Sequence, residues 1–148
     1  MIYRTEHPKP QFQRDNWMNL NGSWQFEIDH GNSGEARGMY DPAIQLSQTI
    51  NVPFCPESKL SGVEYKDFMY SVWYKRSVTL TAEQVQGRVV LHFGAVDYLA
   101  TLYINGKKVG THKGGYVSFA FDITDYVVEG ENVITLHAED DTRNRLVC

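Results

Sequence analysis

The chain has 148 residues, 42% apolar and 22% charged, with a formal net charge of −4. That length allows one ordinary domain with one real core. The acidic balance speaks against nucleic acid as a partner, since phosphate binding needs a basic face. No apolar run reaches the roughly 18 residues of a membrane helix, so no membrane partner is expected.

Met1–Pro8 lacks an apolar h-region and does not read as a signal peptide, so a cytoplasmic protein is expected. Asn21-Gly22 turns the chain. Trp24, Phe26 and Ile28 then alternate with Ser23, Gln25, Glu27 and Asp29, the period of a half-buried strand. His30 to Asp41, rich in Gly, Asn and Ser, reads as a loop. Thr49 to Val52 is a short strand stopped by Pro53, and Phe54 to Asp67 reads as a long exposed connection. From Ser71 to Leu80 a strand carries Val72, Tyr74, Val78 and Leu80 on one face, interrupted by Arg76. Trp73, Lys75, Ser77 and Thr79 take the other face.

Thr81-Ala-Glu-Gln84 fits a capping box, so a short helical turn is expected next. Val89, Leu91 and Phe93 alternate again, as do Tyr98, Ala100, Leu102 and Ile104. Asn105-Gly106 between two apolar runs predicts a tight hairpin, because both central residues of a type I′ turn need positive φ. Val117, Phe119 and Phe121 form a further strand pattern. Asp122 to Gly130 is expected to hold one helical turn, and Ile134, Leu136 and Ala138 mark the last strand. Seven or more short strands with frequent turns predict an all-β jelly-roll sandwich, one domain over residues 1–148.

Four motifs carry a family resemblance. They are Leu20-Asn-Gly-Ser-Trp24-Gln-Phe26, Ile50-Asn-Val52-Pro53, Val72-Trp73-Tyr74-Lys75-Arg76, and the hairpin running through His112-Lys-Gly-Gly-Tyr116 to Phe121-Asp-Ile-Thr124. In order and spacing the chain resembles the N-terminal sugar-binding jelly-roll domain of family 2 glycoside hydrolases, the β-galactosidases and β-glucuronidases. The resemblance implies a non-catalytic, structural and sugar-binding part of a larger enzyme. The parent would hydrolyse β-galactosides or β-glucuronides with retention. It implies as partners an immunoglobulin-like domain and a (β/α)₈ barrel that supplies the catalytic glutamates, and a barrel alone takes about 250 residues. Catalysis by this chain alone is not expected. An independent carbohydrate-binding module is the alternative.

Site candidates follow. Asp140-Asp141 is a poor catalytic dyad, since neighbours on an extended chain diverge while a retaining pair must face one sugar about 5–5.5 Å apart. The resemblance places one of these two at the rim of the parent's active site. Related galactosidases have a sugar-contacting asparagine just ahead of the Trp73 strand; this chain has none in Asp67-Phe-Met-Tyr-Ser71, and Asp67 is the candidate acceptor in its place. A solvated or packing loop is the other reading of all three. Trp73 and Tyr116 are candidates for stacking on a sugar's C–H face; the other reading is core or interdomain packing for Trp73 and chain reversal for the Tyr116 loop, and the strand around Trp73 is expected to leave an exposed apolar patch. The five histidines lack metal-ligand spacing, His92 and His137 are expected to be exposed, and no metal or cofactor is implied. Asp122, Asp125, Glu129 and Glu131 read as capping or solvated carboxylates. Cys55 and Cys148 read as free thiols.

Overall fold

A computed structural model of the chain describes residues 18–52, 71–94, 99–113 and 118–139. The elements are β1 (Gly22–Ile28), β2 (Gln48–Val52), β3 (Ser71–Leu80), α1 (Ala82–Gln86), β4 (Val90–Phe93), β5 (Leu99–Ile104), β6 (Lys107–Lys113), β7 (Phe119–Asp122) and β8 (Gly130–Glu139). All pairings are antiparallel. Six strands form one sheet in the order β2-β1-β3-β8-β5-β6, and β4 pairs with β7 in a second. The result is a β-sandwich with a broad sheet and a narrow one.

Alternation decides the faces. Phe26 stands opposite Tyr74, Tyr74 opposite Leu136, and Leu136 opposite Leu102, so one apolar row crosses the broad sheet. Phe26 and Leu102 are fully buried. Leu91, Phe93, Phe119 and Phe121 come from the narrow sheet and close the core from the other side. Arg76 interrupts the inward face of β3 by turning its guanidinium to the carbonyl of Leu20 at 2.6 Å, which ties the entry of β1 to the sheet.

The hairpin is as expected: Asn105 and Gly106 have φ of 53° and 85°. A register shift follows at Leu102/Tyr103 between β5 and β6. The capping box also forms, with Thr81 and Gln84 exchanging side-chain and backbone hydrogen bonds. One local expectation fails. Residues 124–126 make a hydrogen-bonded turn rather than a helical one, and Gly130, with φ of 98°, opens β8. Asp122 starts this turn, its carboxylate accepting the backbone N–H of Thr124 at 3.0 Å, and the Tyr126 N–H closes it on the carbonyl of Ile123 at 2.9 Å.

The larger surprise lies on the outward face of the broad sheet. Residues 30–47 do lack strand or helix, as read. They fold back over that face and build a second core, in which Met39 and Leu46 pack with Trp73 and Tyr103.

Candidate functional site

One end of the broad sheet brings together the ends of four strands. Ser71 opens β3, Glu139 closes β8 and Leu99 opens β5, and Glu139 is register partner to both. Lys113, which closes β6, pairs with Leu99 at the same end. Asp67, Tyr116, Asp140 and Asp141 lie outside the described residues, as do Cys55 and Cys148.

Trp73 is described: the core reading holds, and the sugar-stacking and interdomain readings fail. Its side chain does point away from the main core, but the residue is 0% exposed. One face of the indole stacks on His137, 4.0 Å between ring centres, because the two are cross-strand neighbours. Tyr103 stacks beside it at 5.9 Å. The covering segment approaches so closely at Gly34 that a methyl group there would strike the indole and come 2.7 Å from a carboxylate oxygen of Asp29. Neither a sugar nor a neighbouring domain can reach this ring. The expected apolar patch is likewise absent among the described residues, whose exposed large apolar side chains are the scattered Met18, Ile44 and Val128.

Asp29 organises the closure. It ends the β1 alternation on the outward face, yet it is 1% exposed. Its carboxylate accepts N–H groups from Ser33 at 2.9 Å and Gly34 at 2.6 Å, and the indole N–H of Trp73 at 3.1 Å. Arg37 adds an ion pair at 3.3 Å. Burial alone would raise the Asp29 pKa. These hydrogen bonds and the Arg37 charge outweigh it and hold the carboxyl below its usual range. The neighbouring Tyr103 hydroxyl donates to Glu35 at 2.6 Å, and burial together with that bond pushes its pKa far up.

His137 corrects a second expectation: it is buried, whereas His92 is exposed as expected. Ser71 Oγ lies 2.7 Å from His137 Nε2, and Glu139 lies 3.7 Å from His137 Nδ1. The order of hydroxyl, imidazole and carboxylate is that of a nucleophilic triad. The geometry does not support that chemistry. Ser71 is 1% exposed, the histidine–glutamate separation exceeds a hydrogen bond, and His137 Nδ1 has no hydrogen-bond partner. Burial lowers the His137 pKa, with the Glu139 charge opposing, so the ring is neutral. The cluster therefore fixes the strand ends and the tryptophan ring. Among the described residues no group of His, Cys, Asp and Glu is arranged to hold a metal ion.

Composition and alternation gave no sign of Asp29, Ser71 or His137 as a connected set. The usable trace was local: an Asp at a strand end followed by Ser33-Gly34, small residues whose N–H groups can converge on a carboxylate.

Comparison with known proteins adds the lineage. Residues 17–140 match the family described as glycosyl hydrolases family 2, sugar binding domain. A β-glucuronidase of Paenibacillus borealis is 29% identical over 130 residues, covering 87% of this chain and 22% of the relative. A β-galactosidase of Thermoanaerobacter pseudethanolicus is 37% identical over 76 residues, covering 50% of this chain and 10% of the relative. The solved β-glucuronidase of Lactobacillus rhamnosus superposes with a TM-score of 0.71 at 29% identity, covering 82% of this chain and 21% of that one. The chain thus spans no more than about a fifth of these multidomain relatives.

Proposed function

The chain belongs to glycosyl hydrolase family 2 through that family's sugar-binding domain, and from this membership we propose that it serves a retaining β-glycosidase as a non-catalytic part. The parent would act on β-glucuronides or β-galactosides, the activities by which the relatives are named. The partners in this reading are an immunoglobulin-like domain and a (β/α)₈ barrel that carries the two catalytic glutamates. The chain's own contribution is to the rim of the barrel's active site. Asp140 or Asp141, and Asp67, would accept hydrogen bonds from sugar hydroxyls there.

The observation that carries the reading is the register at the sheet end. Ser71 and Glu139 are direct partners, so the chain four residues before one and one or two residues after the other is tethered to the same pair of strand ends. Ser71, His137 and the buried Asp29 cluster stiffen that anchor, and a rigid scaffold beneath functional loops is what positioning requires.

The test is the reading frame downstream of Cys148. The proposal expects a sandwich domain followed by a barrel with a glutamate at the C-terminal end of each of two strands. In that protein, Asp140→Asn with Asp141→Asn should raise KM for the glycoside about tenfold, with less change in kcat. A downstream sequence that encodes no barrel would overturn the proposal.

A further inference from the structure

The buried imidazole of His137 lies in the field of three carboxylates, Glu139 on its own strand, Asp29 and Glu35. Two of them are firmly held. Asp29, at the end of β1, accepts the N–H groups of Ser33 and Gly34 and the Trp73 indole N–H. Glu35, on the covering segment, accepts the Tyr103 hydroxyl at 2.6 Å. The strands beside the ring offer neutral groups: Ser71 and Trp73 on β3, and Thr101 opposite it on β5. Arg37, the cation of this cluster, is paired with Asp29 and Glu27.

Glu139 is loosely held. Its side chain is 26% exposed. Among the described residues its carboxylate accepts one hydrogen bond, a long one from the Asn32 side-chain amide at 3.4 Å. Its other oxygen stands 3.7 Å from His137 Nδ1, too far for a hydrogen bond. Nδ1 is buried and unpartnered, while Nε2 is 2.7 Å from Ser71 Oγ. That geometry fits a neutral ring with its proton on Nε2, donating to the serine, and the Nδ1 lone pair facing the carboxylate. Acceptor opposite acceptor keeps the two apart. A proton on Nδ1 reverses the sign, since N⁺–H···O⁻ bonds are strong and about 2.7–2.9 Å long. Closing the gap from 3.7 Å takes a side-chain shift of roughly 1 Å.

We propose that His137, Glu139 and Asn32 form an acid-operated latch: a proton taken up at His137 Nδ1 draws the Glu139 carboxylate onto the ring and off the Asn32 amide. Asn32 sits in the first turn of the covering segment, with φ of 50° and its backbone N–H on the Asp29 carbonyl at 3.1 Å. In neutral solution the latch joins that turn to the end of β8, and in acid it lets the turn go. Burial disfavours the charged ring, so the operating range lies below the ordinary histidine value of about 6.5. The device is independent of the rim reading.

The experiment is an NMR pH titration of the isotope-labelled 148-residue chain, from about pH 8 to about pH 4.5, following the His137 ring nitrogens and the Asn32 side-chain amide. The expected result is an Nε2-protonated ring in neutral solution and a ring midpoint below about 6.5, with the Asn32 amide moving at that same midpoint. Glu139→Ala should lower the ring midpoint by roughly one pH unit and abolish the Asn32 response. Four results would each overturn the latch: a neutral ring protonated on Nδ1, a ring that titrates while the Asn32 amide stays still, an unchanged midpoint in Glu139→Ala, or cooperative unfolding before the ring takes up its proton.

Discussion

At the scale of single residues, the most constrained position is Gly34. Its backbone N–H binds Asp29, and the space a Cβ would need is already filled by the Trp73 indole. Gly34→Ala must push the covering segment off the sheet or tilt the indole out of its stack. We expect a loss of about 1–3 kcal/mol, as for other overpacked sites. Thermal unfolding of the variant checks this, and an unchanged Tm would contradict the packing. Asn105 carries a different load. As a turn residue it needs only positive φ, which glycine also supplies. Its side chain also donates to Tyr126 O at 3.0 Å and to Asn132 Oδ1 at 2.9 Å, and accepts the Val133 N–H at 2.9 Å. Asn105→Gly keeps the turn and deletes those three bonds. We expect a loss of about 1–3 kcal/mol in urea unfolding, from donors and acceptors left unpaired.

Two titrating groups link the same scale to pH. The neutral state of buried His137 is favoured, so as pH falls through about 6.5 the unfolded chain takes up its proton first. Stability therefore declines from about that pH downward, until the folded ring also protonates. Asp29 is held below its ordinary pKa, so its contribution is complete above about pH 4 and is lost as pH falls further. Urea midpoints measured across this range should show both declines. His137→Gln should flatten the first and Asp29→Asn the second.

At the scale of elements, alternation and turn chemistry made most of the strands legible. The strand from Ser71 to Leu80, the capping box and the Asn105-Gly106 hairpin all follow from residues within a few positions of one another. The failures have a common physical cause. A period-2 pattern says which residues share a face, but not whether that face meets water. Trp73 and His137 were correctly separated from the Val72 face, but what covers them was invisible, because that segment lies about forty residues before Trp73 and about a hundred before His137. The candidate rim residues Asp67, Asp140 and Asp141 came from likeness to a family and not from any local pattern. Pairing also sets a gradient of order. β3 has partners on both sides and exchanges hydrogen bonds with β8 along its whole length, while β2 and β6 are the edges of the broad sheet. Hydrogen exchange should be slowest in β3 and β8 and fastest in β2 and β6. Slow exchange confined to the edges would contradict the strand order.

At the scale of the whole molecule, the broad sheet is covered on both sides by the chain itself: the narrow sheet on one face and residues 30–47 on the other. Trp73→Ala would remove the ring on which the second core is built. We expect a cost of about 3–5 kcal/mol, with a change in the tryptophan fluorescence of the folded state. Such a self-closed sandwich can present loops at one end without relying on neighbours to bury its outward aromatic ring. In this account the chain binds or positions sugar, and the bond-breaking carboxylates belong elsewhere in the parent. The direct test is turnover of p-nitrophenyl β-D-glucuronide and β-D-galactoside by the purified chain, once cooperative unfolding shows that it is folded. The account predicts no hydrolysis above the buffer rate. Hydrolysis that co-purifies with the folded chain and is abolished by Ser71→Ala would contradict it and return the serine–histidine pair to catalysis.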